Sequence, residues 1–554
     1  MTAMLVATYH FEQKRKATAR YKLPPGPPKL PFFGNLLQIP VLRPYPKFRE
    51  WAKEYGPIFH LRIGPQDMIV LNTAEAANEI LVTRSRTFSS RTPPHIAQDI
   101  MSAGQRMVFL PYSKEWKIAR KSVQSVIGSG PAKKIRPSQE LESRVLLYDV
   151  LQHGDKGWNS SYSGLDDEVP EDHWFSIFRR YATSVVMTIC YGKRANTTIN
   201  NHYLHKIYAV VKNFVLISQP GSYLADVFPF LRKLPDCLSS WRVEGRKMHE
   251  WEMGLWGGLL NDLRDDIQRG VETDSYITRY LKQRADAGWA DAPGYGVTKD
   301  GWLRDTFLAY TAGTVLEAGS DTTSSTMVAF ILFMLSHPHV LEQIQAEIDG
   351  VVGHERMPQF EDEHELPYTV AAIKETLRKR PPVIMGIPHR ADEETIFEGY
   401  RIPKGATVLG NVWAIHMDPT RYPNPTAFQP ERWYTPGSPT RWGSGPDSDR
   451  DHYAFGWGRR ICPAAHLAES SLFITLSRLV WGFNFEVPRD PHTGVPQIPD
   501  IADENTFSDG FISAPRMFRV WFQVRSERHR TIIERAYQHA QTEWVSMGYA
   551  TDIE

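Results

Sequence analysis

The 554-residue chain is predicted to fold as one large, mainly α domain with a smaller β part and a long central helix. Three observations predict this. Apolar residues recur at helical spacing through most segments, and one such run extends from about Leu303 to Leu335. Strand signals are short and confined to two regions, 58–71 and 396–409. No Gly/Ser linker, repeat or sharp change of composition divides the chain, although length alone would suggest several domains.

In chain order, Tyr45–Tyr55 reads as a short helix. Ile58–Ile63 and Met68–Leu71 flank Gly64-Pro65-Gln66-Asp67, a hairpin signal. Thr73 is suited to cap a helix running through Ala77, Ile80 and Leu81. Helices are predicted at Lys114–Ile127, Leu141–Leu151, Trp174–Tyr191, His202–Leu216 and Arg242–Gln268. The polar, breaker-rich segments 154–172 and 286–298 read as surface loops. The long run stops at His337-Pro338, because the residue before proline disfavours helix. At 1.5 Å per residue it would be roughly 50 Å long, enough to cross a large domain. Helices at Val340–Val352 and Pro367–Lys379 follow, then strands around Ile396–Ile402 and Thr407–Leu409, and an amphipathic helix over Glu527–Trp544.

A composition of 42% hydrophobic and 23% charged residues is that of a globular protein, and a net charge of +1 gives no basis for a nucleic-acid partner. The three cysteines, Cys190, Cys237 and Cys462, have the spacing of neither a disulfide framework nor a zinc site. So few thiols in so long a chain fit a reducing compartment. Met1–Tyr9 is a short, weakly apolar stretch ahead of Lys14-Arg15-Lys16. Neither it nor any other segment reaches the roughly 18–20 apolar residues that span a bilayer. Its apolar part precedes its charges, the reverse of a signal peptide.

The segment with most chemistry is Phe455-Gly456-Trp457-Gly458-Arg459-Arg460-Ile461-Cys462-Pro463-Ala464. Its two glycines permit a tight turn close to a flat ligand, and Pro463 suits the first turn of the apolar helix that follows. That helix start would aim amides at the sulfur and favour thiolate, the form that ligates metal. Arg460 carries a fork suited to a carboxylate. The usual fate of a free cysteine is an inert buried thiol, and the residues around Cys462 favour the ligand role over it.

Other pieces add to it. Ala318-Gly319-Ser320-Asp321-Thr322-Thr323 sits in the middle of the long helix, where an acid followed by a hydroxyl is a plausible proton relay and where small residues are also ordinary packing. Glu317 lies one turn earlier and would border the same groove. Trp116 and Arg120, four residues apart on one helix face, are both donors suited to a carboxylate. Glu375 and Arg378 share a helix face, and Pro430-Glu431-Arg432-Trp433 follows downstream.

In residue type, order and spacing these segments resemble the cytochrome P450 family. The Cys462 segment resembles its F-x-x-G-x-R-x-C-x-G ligand loop, with Ala464 replacing the last glycine. Residues 318–323 resemble its A/G-G-x-D/E-T-T/S motif, and Pro430–Trp433 its P-E-R-F segment. Pro24-Pro25-Gly26-Pro27-Pro28 resembles the hinge that follows a membrane anchor in eukaryotic members. The resemblance implies the cytochrome P450 fold, with the long helix over a haem b whose iron is bound by the thiolate of Cys462. Arg460, Trp116, Arg120 and His389 would hold the haem propionates, and Asp321 and Thr322 would deliver protons to bound O2. Glu375, Arg378 and Arg432 would form a structural charge triad.

The implied activity is a monooxygenase that inserts one oxygen atom from O2 into a lipophilic small molecule, in fungal secondary metabolism. An oxygen-independent haem-thiolate isomerase or dehydratase and a non-catalytic haem-binding protein are the alternatives. No flavin or nicotinamide fingerprint is visible, so electrons would come from a separate NADPH-cytochrome P450 reductase, with cytochrome b5 as a second donor. Lys117, Lys121, Lys133 and Lys134 offer a basic docking face or an ordinary solvated one. The resemblance places the protein on the cytosolic face of the endoplasmic reticulum, held peripherally if the anchor is lacking; Tyr223–Lys233 could dip into that interface or pack as a loop. Substrate contacts are expected from 93–109, 214–230, 314–317 and 383–387. The implied division is a segment and hinge over 1–30, a catalytic domain over 31–525 and a C-terminal extension over 526–554.

Overall fold

In the computed structural model, residues 21–156, 169–199, 201–219, 221–271, 274–437, 441–443 and 450–549 are described. The stretch Met1–Tyr9 with Lys14–Lys16, residues 157–168 of the expected 154–172 loop, and the end of the C-terminal extension lie outside them. Helix α1 (Tyr45–Tyr55) precedes the hairpin of β1 (Ile58–Ile63) and β2 (Gln66–Leu71). Ile63 pairs with Gln66, so Gly64 and Pro65 alone make the turn. Gln66 and Asp67 belong to the strand because Gly64, at φ +54, reverses the chain within two residues. Thr73 caps as expected, accepting from the Ala76 N–H, but the α-helix ends at Ala77 and continues as a π-helix over Asn78–Thr83.

Helices α2 (Lys114–Ile127), α3 (Ser129–His153), α4 (Trp174–Tyr191), α5 (His202–Ile217), α6 (Ser240–Gln268), α7 (Tyr276–Asp286), α8 (Asp305–Ser336), α9 (Pro338–Val351) and α10 (Pro367–Lys379) build the α part. Helix α3 starts at Ser129 rather than Leu141, passing through Pro137. Tertiary packing overrides the breakers there: Ala132 and Ile135 are buried, and the Gln139 amide donates to the Leu467 carbonyl at 3.0 Å. Helix α7 was not expected, although a capping box between Ser275 and Thr278 marks its start.

Strands β3 (His389–Arg390), β4 (Thr395–Phe397), β5 (Tyr400–Ile402) and β6 (Thr407–Gly410) follow, then α11 (Ala465–Gly482), β7 (Phe483–Glu486), β8 (Trp521–Val524) and α12 (Glu527–Ser546). The main sheet has the order β1-β2-β6-β3, with β2 and β6 parallel, so chain ends far apart in sequence close one sheet. The expected strand 396–402 is a hairpin, β4–β5, turning at Glu398 and Gly399.

Helix α8 is the hub and packs on α4, α6, α10 and α11. It is apolar almost all round because it is buried almost all round. The chain turns by 108° between α8 and α9, at the expected proline. Among the described residues no single helix is long and apolar enough to cross a membrane. Glu375 is fully buried and accepts from Arg378 at 2.7 Å, Arg432 at 3.0 Å and Trp433 Nε1 at 2.9 Å, the expected triad plus an indole. Arg378 in turn donates to the carbonyls of His416 and Pro425, tying α10 to the irregular segment behind the cysteine loop. Helix α12 lies along α3, with Trp544 fully buried against Arg194 and Tyr537 stacked on Tyr148.

Candidate functional site

The loop carrying Cys462 is closed by its own backbone: the Cys462 N–H donates to the Phe455 carbonyl at 2.9 Å. Gly458 has φ +49, and a Cβ there would lie 2.1 Å from the Leu81 carbonyl oxygen, so only glycine fits. Ala464 has φ −102, which alanine adopts freely, so the departure from the glycine pattern strains nothing. Pro463 does not sit in the first turn of α11. That helix begins at Ala465, with Ala464 as its N-cap in a non-helical conformation.

Cys462 lies deep in the protein but opens onto an apolar cavity of about 290 Å³. Burial raises its thiol pKa, against the lowering effects of the Ala464 amide and the Arg120 charge. The amide at the helix start lowers the thiol pKa, as expected, while burial opposes it, and a bound metal ion would draw the proton off.

Beside the cysteine stands a cluster of buried cations. Arg460 donates to the carbonyls of Ser89 and Leu110, both at 2.6 Å, and lies 4.0 Å from the Trp116 ring centre. Arg120 donates to the Ile461 carbonyl at 2.5 Å. Arg91, which no sequence pattern singled out, donates to the carbonyls of Ile387 and Pro388. His389 Nδ1 donates to the Phe88 carbonyl at 2.6 Å, and burial with the nearby Arg91 charge holds its pKa well below the usual range. All five side chains line the cavity.

Among the described residues no carboxylate pairs with Arg91, Arg120 or Arg460, whose partners are backbone carbonyls. Burial lowers the basicity of all three; neighbouring arginines add to it for Arg91, which falls to about 9, and for Arg460, which falls to about 8. The Nε atoms of Arg91 and Arg120 are buried without a partner. Three buried guanidiniums without a counter-charge need an anion. A flat group carrying two carboxylates, next to a thiol, fits that requirement.

Across the cavity, α8 contributes Thr314, Val315, Ala318, Gly319 and Thr322. Thr322 Oγ1 donates back to the Ala318 carbonyl at 2.8 Å, and its side chain reaches the cavity. Asp321 does not line the cavity. Its carboxylate is held at 2.7 Å by Arg179 of α4, whose guanidinium also lies 3.8 Å from the Tyr208 ring centre. Gly319 makes room for Val186 of α4, whose methyl would lie 2.4 Å from an added Cβ; its smallness serves helix packing rather than a flat ligand alone.

Glu317 does not border the groove either. It pairs with Arg106, which also pairs with Glu252 of α6; all three are buried, and Tyr310 donates to Glu252 at 3.0 Å. Of the expected substrate segments, 93–109 contributes Met107 and Val108, 314–317 contributes Thr314 and Val315, and 383–387 contributes Val383, Gly386 and Ile387. The segment 214–230 does not line the cavity but packs one layer out, where Phe214 meets Phe109. Ala182, Val185 and Val186 of α4 form a wall that sequence reasoning missed, because their helix read as undifferentiated core.

The family model described as cytochrome P450 matches residues 24–501. Cytochrome P450 monooxygenase 231 of Postia placenta is 53% identical over 541 residues, covering 97% of this chain and 95% of its own. Cytochrome P450 monooxygenase fogE of Aspergillus ruber is 35% identical over 504 residues, covering 91% of this chain and 87% of its own. A solved zebrafish cytochrome P450, determined with abiraterone, is similar with a TM-score of 0.66 at 24% identity, covering 87% of this chain and 100% of that one. At that identity the likeness concerns the fold, which is the one expected from the sequence.

Proposed function

The chain belongs to the cytochrome P450 family and is a haem-dependent monooxygenase; we propose that it inserts one oxygen atom from O2 into a lipophilic small molecule of fungal secondary metabolism, with electrons from a separate NADPH-cytochrome P450 reductase. One observation carries this reading: a thiol and three arginines without counter-charge meet at one end of an apolar cavity whose opposite wall presents Thr322. The haem, when bound, supplies reductive O–O bond cleavage and oxygen transfer, favoured by a thiolate ligand.

The chain's own residues do the rest. Cys462 Sγ would hold the iron as its thiolate. Arg91, Arg120 and Arg460 would neutralise the propionates through charge-assisted hydrogen bonds, and Trp116 and His389 line the same cavity. Val185, Val186, Val315 and Ala318 exclude water from the reacting face. Thr322 Oγ1 releases the Ala318 carbonyl and donates inward. With its pair to Arg179 opened, the Asp321 carboxylate would take up a proton from solvent and pass it through water to the Thr322 hydroxyl, which would hand on its own.

Exposed Lys117 and Lys121, on the solvent side of the Trp116 helix, suit an acidic reductase. Unchanged low-salt reduction rates in the Lys117→Glu, Lys121→Glu variant would remove that part. Exposed apolar side chains support peripheral contact with the endoplasmic reticulum membrane: Phe32 is 66% exposed and stacks on the buried Phe228, close to the exposed Phe230. Serine at Phe32 and Phe230 should reduce co-flotation with phospholipid vesicles; full retention would contradict it. The overall reading is tested by turnover with reductase, NADPH and 18O2 over a library of lipophilic metabolites. The expected product gains one 18O atom, and a product formed equally without O2 would refute the reading.

A further inference from the structure

Hydroxyls along α8 mostly return to their own helix. Thr311 donates to the Phe307 carbonyl, Ser320 to Glu317, Thr322 to Ala318 and Thr326 to Thr322. Thr314 does not. Its Oγ1 is buried, has no hydrogen-bond partner, and belongs to a side chain that is 8% exposed and lines the cavity. Glu317, three residues on, pairs through Oε2 with Arg106 and makes no bond to Thr314. Met107, Val108, Val315 and Ala318 leave the neighbouring lining apolar.

A buried hydroxyl that forgoes its own helix carbonyl is costly unless something else satisfies it. We infer that Thr314 is a specificity-determining residue whose hydroxyl anchors the single hydroxyl or carbonyl oxygen of an otherwise hydrocarbon substrate. The inference rests on the monooxygenase site described above and names the class of molecule that site takes. Thr314 precedes Thr322 by two helical turns, roughly 12 Å of rise. The anchored oxygen is therefore held away from the point of attack, and oxidation falls on carbon remote from it.

The test uses haem-loaded wild type, Thr314→Val and Thr314→Ser, titrated spectrally with three acyclic isoprenoids: nerolidol (one hydroxyl), geranylacetone (one ketone) and β-farnesene (no oxygen). Wild type should bind the two oxygenated probes about three- to tenfold more tightly than the hydrocarbon, the range of one net hydrogen bond. Thr314→Val should abolish that preference without weakening β-farnesene, and Thr314→Ser should keep it. The ligand-free melting temperature of Thr314→Val should be unchanged or higher, since no bond within the protein is lost. A wild type without preference, a preference that survives in Thr314→Val, or a fall in its ligand-free melting temperature overturns the assignment. The carbon-monoxide spectrum separates the two levels. A thiolate band without oxygenate preference overturns the role of Thr314 alone, whereas a missing band in wild type overturns both readings.

Discussion

Replacing Glu317 by glutamine should stabilise the protein at neutral and alkaline pH. Arg106 is fully buried between two carboxylates, and Glu252 holds the stronger position with donors from both Arg106 and Tyr310. Glu317 has Arg106 alone, and its Oε1 is buried without a partner. Burial pushes its carboxyl pKa up to about 7, with Arg106 opposing and the Glu252 charge adding. The sign follows from proton counting. Between pH 4.5 and 7 the unfolded chain ionises this group while the native state keeps its proton, so stability falls as pH rises through that window. The lift from 4.5 corresponds to about 3 kcal/mol, reached in full by pH 8. With an unfolding entropy of about 1.2 kcal/mol/K for a chain of this length, that is about 3 °C in melting temperature. Glutamine keeps the bond to Arg106 and carries no charge. Differential scanning fluorimetry of the haem-loaded protein should show matching melting temperatures near pH 4.5 and Glu317→Gln higher by about 3 °C at pH 8. Parallel curves, or a less stable variant at pH 8, would refute the reasoning.

Three further outcomes are expected. Thr322→Ala should leave haem bound but uncouple turnover, with product per NADPH falling several-fold and peroxide rising; full coupling would remove the relay role. Gly458→Ala places a Cβ against the Leu81 carbonyl at a left-handed φ, so the haem-to-protein absorbance ratio after purification should drop sharply. Trp544→Ala empties a fully buried site between α12 and α3, costing about 3–5 kcal/mol and lowering the melting temperature by about 3–4 °C. An unchanged melting temperature would mean that α12 is not part of the cooperative core.

Much of the fold was legible because helix α8 and its neighbours carry long, regular periodicity with clear stops, such as His337-Pro338. The strands β7 and β8 were not, since each is four residues long and its partner lies across an irregular loop. The Cys462 loop was legible because backbone chemistry confines its residue types: Gly458 admits no side chain. Arg91 was invisible because an arginine in a polar loop reads as solvated, and only the fold brings it beside Arg120 and Arg460. Arg106 and Glu252 were invisible for the same reason, and Glu317 was singled out but without its partner, since the three come from distant segments. Asp321 was identified as a residue but not by direction, because its partner Arg179 lies on another helix.

The central claim is that Cys462 binds haem iron as a thiolate within a cradle of arginines that pair with no carboxylate among the described residues. The absorption spectrum of the reduced, carbon-monoxide-bound protein tests it most directly. Wild type should show a Soret band shifted strongly to long wavelength, and Cys462→Ala should lack it. A folded, haem-loaded wild type without that band, or a Cys462→Ala protein that keeps it, would contradict the account.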